Sequence, residues 1–206
     1  MELTEKQIAI LDAAETLFAS KGFEGASVRD IAKKANVNVA MISYYFGSKE
    51  KLLQQLLLNR TENSRKLLTQ LKQDTHKNSW EKIDRIIDFF VDHLLESRQF
   101  HNITSRQISL VQDEDTIELL INIKKTNQAI IEDIIKEGQE KKIFREVNIP
   151  LTIGSVFGTI SQVSMSQEYY KKVLKEKNEE AYFRKLRPKL KRHLKTLIRN
   201  HLALKG

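Results

Sequence analysis

SVRDIAKKANVNVAMISYYFGSK, Ser27 to Lys49, reads as two short helices separated by three residues. The Ser27 hydroxyl is placed to cap the free amides of the first, with Asp30 three residues on to reach back as in a capping box. That helix presents Val28, Ile31, Ala32 and Ala35. Asn36-Val37-Asn38 is the turn, because Asn is the best substitute for Gly where a positive φ is required, and Asn38 caps a third helix over about Val39 to Phe46. Helices joined so tightly cross steeply, which demands a small residue at the contact and apolar ones around it. Ala32 is the small contact; Ile31, Ala35, Val37, Ile42 and Tyr45 take the core-facing places, with Val37 as a plug between the helices. Val39, Ala40, Met41, Ser43 and Tyr44 are left on or near the exposed face of a helix short enough to enter a major groove of DNA.

Outward from this pair, a first helix is expected over about Thr4 to Ser20, with Ile8, Leu11, Ala14, Leu17 and Phe18 on one face and Lys21-Gly22 ending it. After Gly47, Ser48 caps a long fourth helix to about Leu71. Gln73 to Ser79 is polar and reads as a loop. Further helices are expected over about Trp80 to Ser97, Phe100 to Leu110, Asp113 to Lys142, Ile149 to Lys175 and Pro188 to Leu204, the last opening at Pro188 because an interior proline breaks a turn. The expected fold is all-α, with about nine helices.

The 206 residues suffice for a real core; there is no Cys, only two Pro and seven Gly. The absence of Cys excludes thiolate zinc sites, Cys nucleophiles and disulfides and fits a reducing, cytoplasmic setting. The amino terminus has neither the basic start nor the apolar run of a secretory signal. Val147 to Gln167 carries no charged side chain, but its Asn, Ser, Thr and Gln content favours a buried helix over a bilayer span.

The net charge of +8 invites a nucleic-acid reading. Its location weakens that inference: residues 1–50 hold six basic and seven acidic side chains, whereas residues 171–206 hold 13 basic and 3 acidic. The basic tail, including Lys185, Arg187, Lys189, Lys191, Arg192, Lys195 and Arg199, reads as the solvated side of the last helix.

The motif set Ile10-Leu11-Asp12-Ala13-Ala14, Leu17-Phe18, Gly22-Phe23, Ser27-Val28, Asp30-Ile31-Ala32, Ala35-Asn36-Val37, Tyr44-Tyr45-Phe46 and Ser48-Lys49-Glu50 resembles the TetR family of bacterial regulators. The resemblance covers about the first quarter of the chain without a gap and is specific as a set. It implies a homodimer of helical subunits: a three-helix helix-turn-helix DNA-binding domain, residues 1–47, and a helical ligand-binding and dimerisation domain, residues 48–206. It implies a regulator of transcription, most often a repressor, released from its operator by a small-molecule effector. Carried over, Ser27 and Arg29 look like phosphate or groove contacts, Val39, Ala40 and Met41 like the base-facing surface, and Tyr44 like a phosphate or base contact. Lys49 looks like a phosphate clamp, and the free amides at the start of the fourth helix agree. Ser43 stands where many members have an aromatic residue. Tyr45 and Phe46 are assigned to the core and Lys33 to solvent.

In the remainder, Phe89, Phe90, Phe100, Ile123 and Phe157 are candidate pocket residues, with ordinary core as the alternative at this helical spacing. Ile103, Ile108, Leu119 and Phe144 belong to the same apolar set. Gly154 and Gly158, one turn apart, with Ser161 next, let another helix approach closely. With Phe157 and with Leu190, Leu194, Leu197 and Ile198 of the last helix they form the expected dimer interface. His93, Glu96 and His101 are spaced poorly for a metal. No phosphate-binding loop, dinucleotide turn, H-E-x-x-H pair or nucleophile elbow occurs, so neither enzyme nor cofactor chemistry is expected. The remaining rivals are a helical enzyme without a known motif and an interaction module whose helix-turn-helix is only structural.

Overall fold

The structure is a computed structural model that describes residues 3–104 and 113–204. Ten α-helices run through these residues: α1 Glu5–Gly25, α2 Val28–Lys34, α3 Val39–Phe46, α4 Lys49–Gln73, α5 Ser79–Glu96, α6 Arg98–Asn102, α7 Glu114–Glu140, α8 Ile149–Met165, α9 Gln167–Val173 and α10 Glu179–Leu202. The chain is thus all-α, and packing divides it into two units: Met1–Asn63 with Gln99–Lys124, and Ser64–Arg98 with Lys125–Gly206. No helix among the described residues is long and apolar enough to cross a membrane.

Helix ends follow the polar side chains that sequence marks. Thr4 and Gln7 form a reciprocal capping box at α1, and Asn78 and Glu81 form another at α5. Gly22, at φ 77° and ψ 168°, interrupts α1 where the sequence places its end, in a conformation open to glycine and rarely to other residues. Ser48 Oγ accepts from the Lys51 amide at 3.2 Å and so caps α4. Asp113 Oδ2 accepts from the Thr116 amide at 2.9 Å at the start of α7 and from Gln54 Nε2 of α4 at 3.1 Å. Hydrogen bonds from Thr116, chiefly its hydroxyl, hold the Asp113 carboxyl below the usual aspartate range.

The first unit is built on Ile10, Leu11, Phe18, Ile31, Ile42, Leu52, Leu53, Leu56 and Leu57, joined by Phe100, Ile103 and Leu120. Arg60 of α4 fastens α1 by donating from Nε to Glu15 at 2.7 Å and by pairing with Asp12. In the second unit α10 lays Tyr182, Leu186, Leu190, Leu194, Ile198 and Leu202 into the core at four-residue steps. After α7, Gly138 makes room for Phe144: an added Cβ would lie 2.2 Å from the ring.

Two expectations are corrected, and a third is only partly covered by the described residues. Ten helices replace nine in part because Ile149 to Lys175 is broken at Ser166, φ −102° and ψ 36°, into α8 and α9. The last helix starts at Glu179, capped by Asn178, and Pro188 sits inside it. Pro188 deprives the Arg184 carbonyl of its helical donor, yet the apolar stripe is unbroken on either side and holds both halves against the same core. Of the helix expected over Phe100 to Leu110, the described residues show α6 and two further helical residues, Ile103 and Thr104; the remainder, with Ile108, lies outside them.

The basic tail is not simply solvated. Asp84, Asp88, Asp92 and Glu96 recur every four residues on α5, and Arg199, Lys195, Lys191 and Arg187 recur every four residues, in reverse, on α10. They pair in that order at 2.5, 2.7, 2.7 and 3.0 Å, a charge ladder between antiparallel helices. Each partly exposed pair contributes on the order of 0–1 kcal/mol, so the ladder fixes register more than it adds stability. A double-mutant cycle on Asp88→Ala and Lys195→Ala, read by urea denaturation, is expected to give a coupling of about 0.5–1 kcal/mol that shrinks with added salt. Zero coupling at low salt would contradict the ladder.

Candidate nucleic-acid interface

The turn between α2 and α3 is set by Asn36, which takes φ 54°, the left-handed conformation expected of it. The chain then reverses within three residues: the Asn36 amide donates to the Lys33 carbonyl at 3.3 Å and the Val37 amide to the Ala32 carbonyl at 3.0 Å. Ala32 is buried at the crossing and Val37 packs half-buried against the same core. Asn38 Oδ1 accepts from the Ala40 amide at 2.9 Å and starts α3. At α2, Ser27 Oγ accepts from the Asp30 amide at 3.0 Å. The Asp30 carboxylate lies 3.1 Å from Lys21 Nζ, and that hydrogen bond, with those from Ser27, lowers its pKa.

With its inner face fixed, α3 has only one surface to offer. Ile42 and Phe46 are buried; Val39 is 40 % exposed and Tyr44 83 % exposed, and Ala40 and Ser43 are exposed beside them. Met41 is half-buried, its amide bonded to the Asn38 carbonyl at 2.9 Å. Tyr45 turns inward, half-buried, with its ring edge-on to Tyr44 at 5.1 Å. Ser27 and Arg29 are exposed at the start of α2, and Arg29 has no ion pair among the described residues. An eight-residue helix is about 12 Å long, and a B-form major groove is about 12 Å wide. The exposed face of α3 therefore carries small and apolar side chains and the Ser43 hydroxyl, with Arg29 and Tyr44 exposed beside it.

Lys49 behaves differently from a free clamp. Its Nζ donates to the Phe23 carbonyl at 3.0 Å and stands 4.2 Å from the Phe23 ring centre, tying the start of α4 to the end of α1. One ammonium hydrogen serves that carbonyl, which leaves the others for an outside anion. Nothing in local spacing gives this contact, since 26 residues separate the partners. Arg60, which fastens α1 to α4, was equally invisible in the sequence and for the same reason.

The candidate pocket residues are divided between the two units. Phe100, buried, and Ile123, half-buried, belong to the core of the first unit. Phe90 is buried in the second and meets Phe157 edge-on at 4.7 Å, while Phe89 stacks on His93 at 5.3 Å. A core cavity of about 30 Å³ is lined by Ile83, Ile87, Ile131, Ile135, Val156 and Phe157 among others, so Phe157 alone of the five reaches it. His93 and His101 fall in different units, and no metal-holding group of three His, Cys, Asp or Glu occurs among the described residues.

The expected dimer residues divide likewise. Gly154 and Gly158 are exposed, and a Cβ on either would meet nothing within 4 Å. Phe157 and Ser161 are half-buried and Leu197 is 37 % exposed. Leu190, Leu194 and Ile198 are 5 %, 0 % and 3 % exposed; they are spent on the subunit's own core and have no surface for a partner. A four-residue period marks a buried stripe without saying whose core it enters.

Comparison with known proteins agrees with this geometry. Residues 10–56 match the family model described as "Bacterial regulatory proteins, tetR family", and residues 76–165 match "Tetracyclin repressor-like, C-terminal domain". A Bacillus subtilis (strain 168) protein named "Probable HTH-type transcriptional regulator YttP" is 29 % identical over 179 residues, 86 % of each chain. The Staphylococcus aureus (strain Newman) biofilm operon icaADBC negative transcriptional regulator IcaR is 26 % identical over 134 residues, 65 % of this chain and 70 % of that one. Among solved structures, FadR of Bacillus subtilis in complex with stearoyl-CoA has a TM-score of 0.67 at 21 % identity, covering 91 % of this chain and 96 % of that one. At that identity the likeness is one of fold.

The positive φ at Asn36 gives a direct test of the turn. Asn36→Gly is expected to leave stability within about 0.5 kcal/mol, whereas Asn36→Val costs about 1–2 kcal/mol, the penalty for a β-branched residue in the left-handed region. Equal denaturation midpoints for the two variants would contradict the turn geometry.

Proposed function

The chain belongs to the TetR family of bacterial transcriptional regulators, a family that is not enzymatic, and from that membership we propose that it is a ligand-responsive, sequence-specific repressor. It binds a near-palindromic operator in double-stranded DNA as a homodimer and is released by a small-molecule inducer. The observation that carries the reading is the outer face of α3: Tyr44 stands 83 % exposed between buried Ile42 and Phe46, an aromatic held in water by a rigid helix. A tyrosine held outward by a short, packed helix presents an apolar ring and a hydroxyl tip, which suits it to the groove and backbone of DNA.

Residues 1–47 act as the DNA-binding domain and residues 48–206 as the regulatory and dimerisation domain. Val39, Ala40, Met41 and Ser43 read base edges; Ser27, Arg29 and Tyr44 meet the backbone; Lys49 adds its charge at the start of α4. Pairing uses the exposed face of α8 at Gly154 and Gly158, with Leu197 of α10 beside it, where open space above both glycines favours close approach of a second helix. A repressor role is supported by the name of the Staphylococcus aureus relative, a negative regulator. A small-molecule effector is supported by the stearoyl-CoA complex of the Bacillus subtilis protein. The core cavity here, about 30 Å³, admits little more than one water, so an effector entering it must part the aliphatic walls of α5, α7 and α8. Operator DNA makes the cytoplasm the place of action.

The test is a binding titration against a duplex selected from genomic fragments, with random duplex as the reference. Tyr44→Ala is expected to weaken specific binding at least tenfold with the fold intact, a loss of about 1.4 kcal/mol or more. Arg29→Ala is expected to lower the salt slope by about one, because one phosphate contact is lost. Lys49→Met lowers both the salt slope and the denaturation midpoint, since it also gives up the Phe23 carbonyl. Titration curves unchanged by all three would overturn the contact assignment, and no preference over random duplex would favour the interaction-module reading.

A further inference from the structure

α1 and α4 carry the two ends of the helix pair: α2 follows α1 through Ala26 and Ser27, and α3 runs into α4 through Gly47 and Ser48. Apolar packing leaves the register of α1 on α4 open. Leu52 and Leu53 recur one turn later as Leu56 and Leu57, all buried in one core with Leu11, Ala14 and Phe18 of α1. Such contact is non-directional, so a slide of one turn, about 5.4 Å, exchanges one set of leucines for its equivalent.

Directional bonds remove that freedom. At one end Lys49 Nζ donates to the Phe23 carbonyl at 3.0 Å. At the other, about 16 Å farther along α4, stands Arg60. Each of its three nitrogens is bonded within the protein: Nε donates to Glu15 Oε2 at 2.7 Å, Nη1 to Asn59 Oδ1 at 3.3 Å, and Nη2 to Asp12 Oδ1. Asp12 and Glu15 lie three residues apart on one face of α1, so one planar guanidinium spans both, and a slide of either helix would break the match. The Glu15 side chain is 13 % exposed and that of Arg60 27 %, so water replaces these bonds poorly.

A guanidinium answered by two carboxylates, well down α4 from Lys49, serves DNA by position and not by contact. Ser27 and Arg29 depend on α1 through the start of α2, Lys49 belongs to α4, and the outer face of α3 lies between them in the chain. We infer that Arg60 is a positioning residue for operator recognition: its fork to Asp12 and Glu15 sets the register of α1 on α4, and with it the spacing of the backbone-contacting groups that aim α3. The inference rests on the DNA-binding reading and adds to it a residue outside the contact set.

Full-length wild type, Arg60→Met and Arg60→Lys are titrated against the selected operator duplex and against random duplex over a range of salt, with urea midpoints in parallel. A positioning residue moves the ratio of the two affinities, whereas a phosphate contact moves both affinities and the salt slope. Arg60→Met is expected to lower the operator-to-random ratio about tenfold, the cost of one lost base contact, with the salt slope unchanged. Arg60→Lys keeps the charge without the fork and is expected to recover part of the ratio. Ile134→Val, a core change in the second unit that also lowers the midpoint, is expected to leave the ratio at the wild-type value. Should Arg60→Met unfold, Glu15→Gln, which keeps the shape of the acid and removes its charge, decides in its place. An unchanged ratio in the folded variant, an equal fall in Ile134→Val, or a salt slope lowered by about one would each overturn the inference. A wild type without preference over random duplex would instead overturn the DNA-binding reading, and this inference with it.

Discussion

Two helices joined by three residues can cross only if the chain reverses through a left-handed residue, and the first unit is organised round that demand at Asn36. The reversal brings α2 and α3 so close that their contact admits no more than Ala32, and it obliges Val37 to fill the wedge between them. Once the crossing is fixed, Ile31 and Ile42 must face inward, and the opposite side of α3 has no choice but to face water. The outward set that follows, from Val39 to Tyr44, is therefore a by-product of packing before it is a recognition surface. A groove-reading helix needs this order of causes, because base contacts discriminate only when the backbone that carries them does not give.

Charge enters the same scheme in an unexpected place. A net of +8 suggests a DNA-binding surface, yet the segment that meets DNA is slightly acidic by count, and four of the basic residues in the tail answer acids on α5. The ladder spends those charges on register between α5 and α10, so the field they cast beyond the protein is small. On the proposed reading, affinity for DNA rests on few phosphate contacts per head, and two heads on one operator supply the rest through the effective concentration that pairing gives.

The parts of the fold legible in the sequence are those set within four or five residues. Thr4, Ser27, Asn38 and Ser48 cap helices because a short polar side chain reaches only its own next turn. Gly22 and Asn36 take positive φ for reasons internal to one residue. What stayed hidden depends on distant partners. Lys49 reads as a phosphate clamp, and its bond to the Phe23 carbonyl, 26 residues away, has no local signal. Leu190, Leu194 and Ile198 read equally well as subunit core or dimer seam, and the core claims them. Phe100 and Phe157 look alike in sequence and belong to different units. Pro188 argued locally for a helix start, and the stripe from Tyr182 to Leu202 outweighed it. In each case a long-range contact decides between local alternatives of nearly equal energy.

The central claim is that two copies of the α2–α3 head read one operator together. Hydroxyl-radical footprinting of the selected duplex, with the full-length protein at saturation, tests it most directly. The account predicts two protected segments related by a two-fold axis, their centres about one helical turn or slightly more apart, on one face of the DNA. A single asymmetric protected segment at saturation would contradict it.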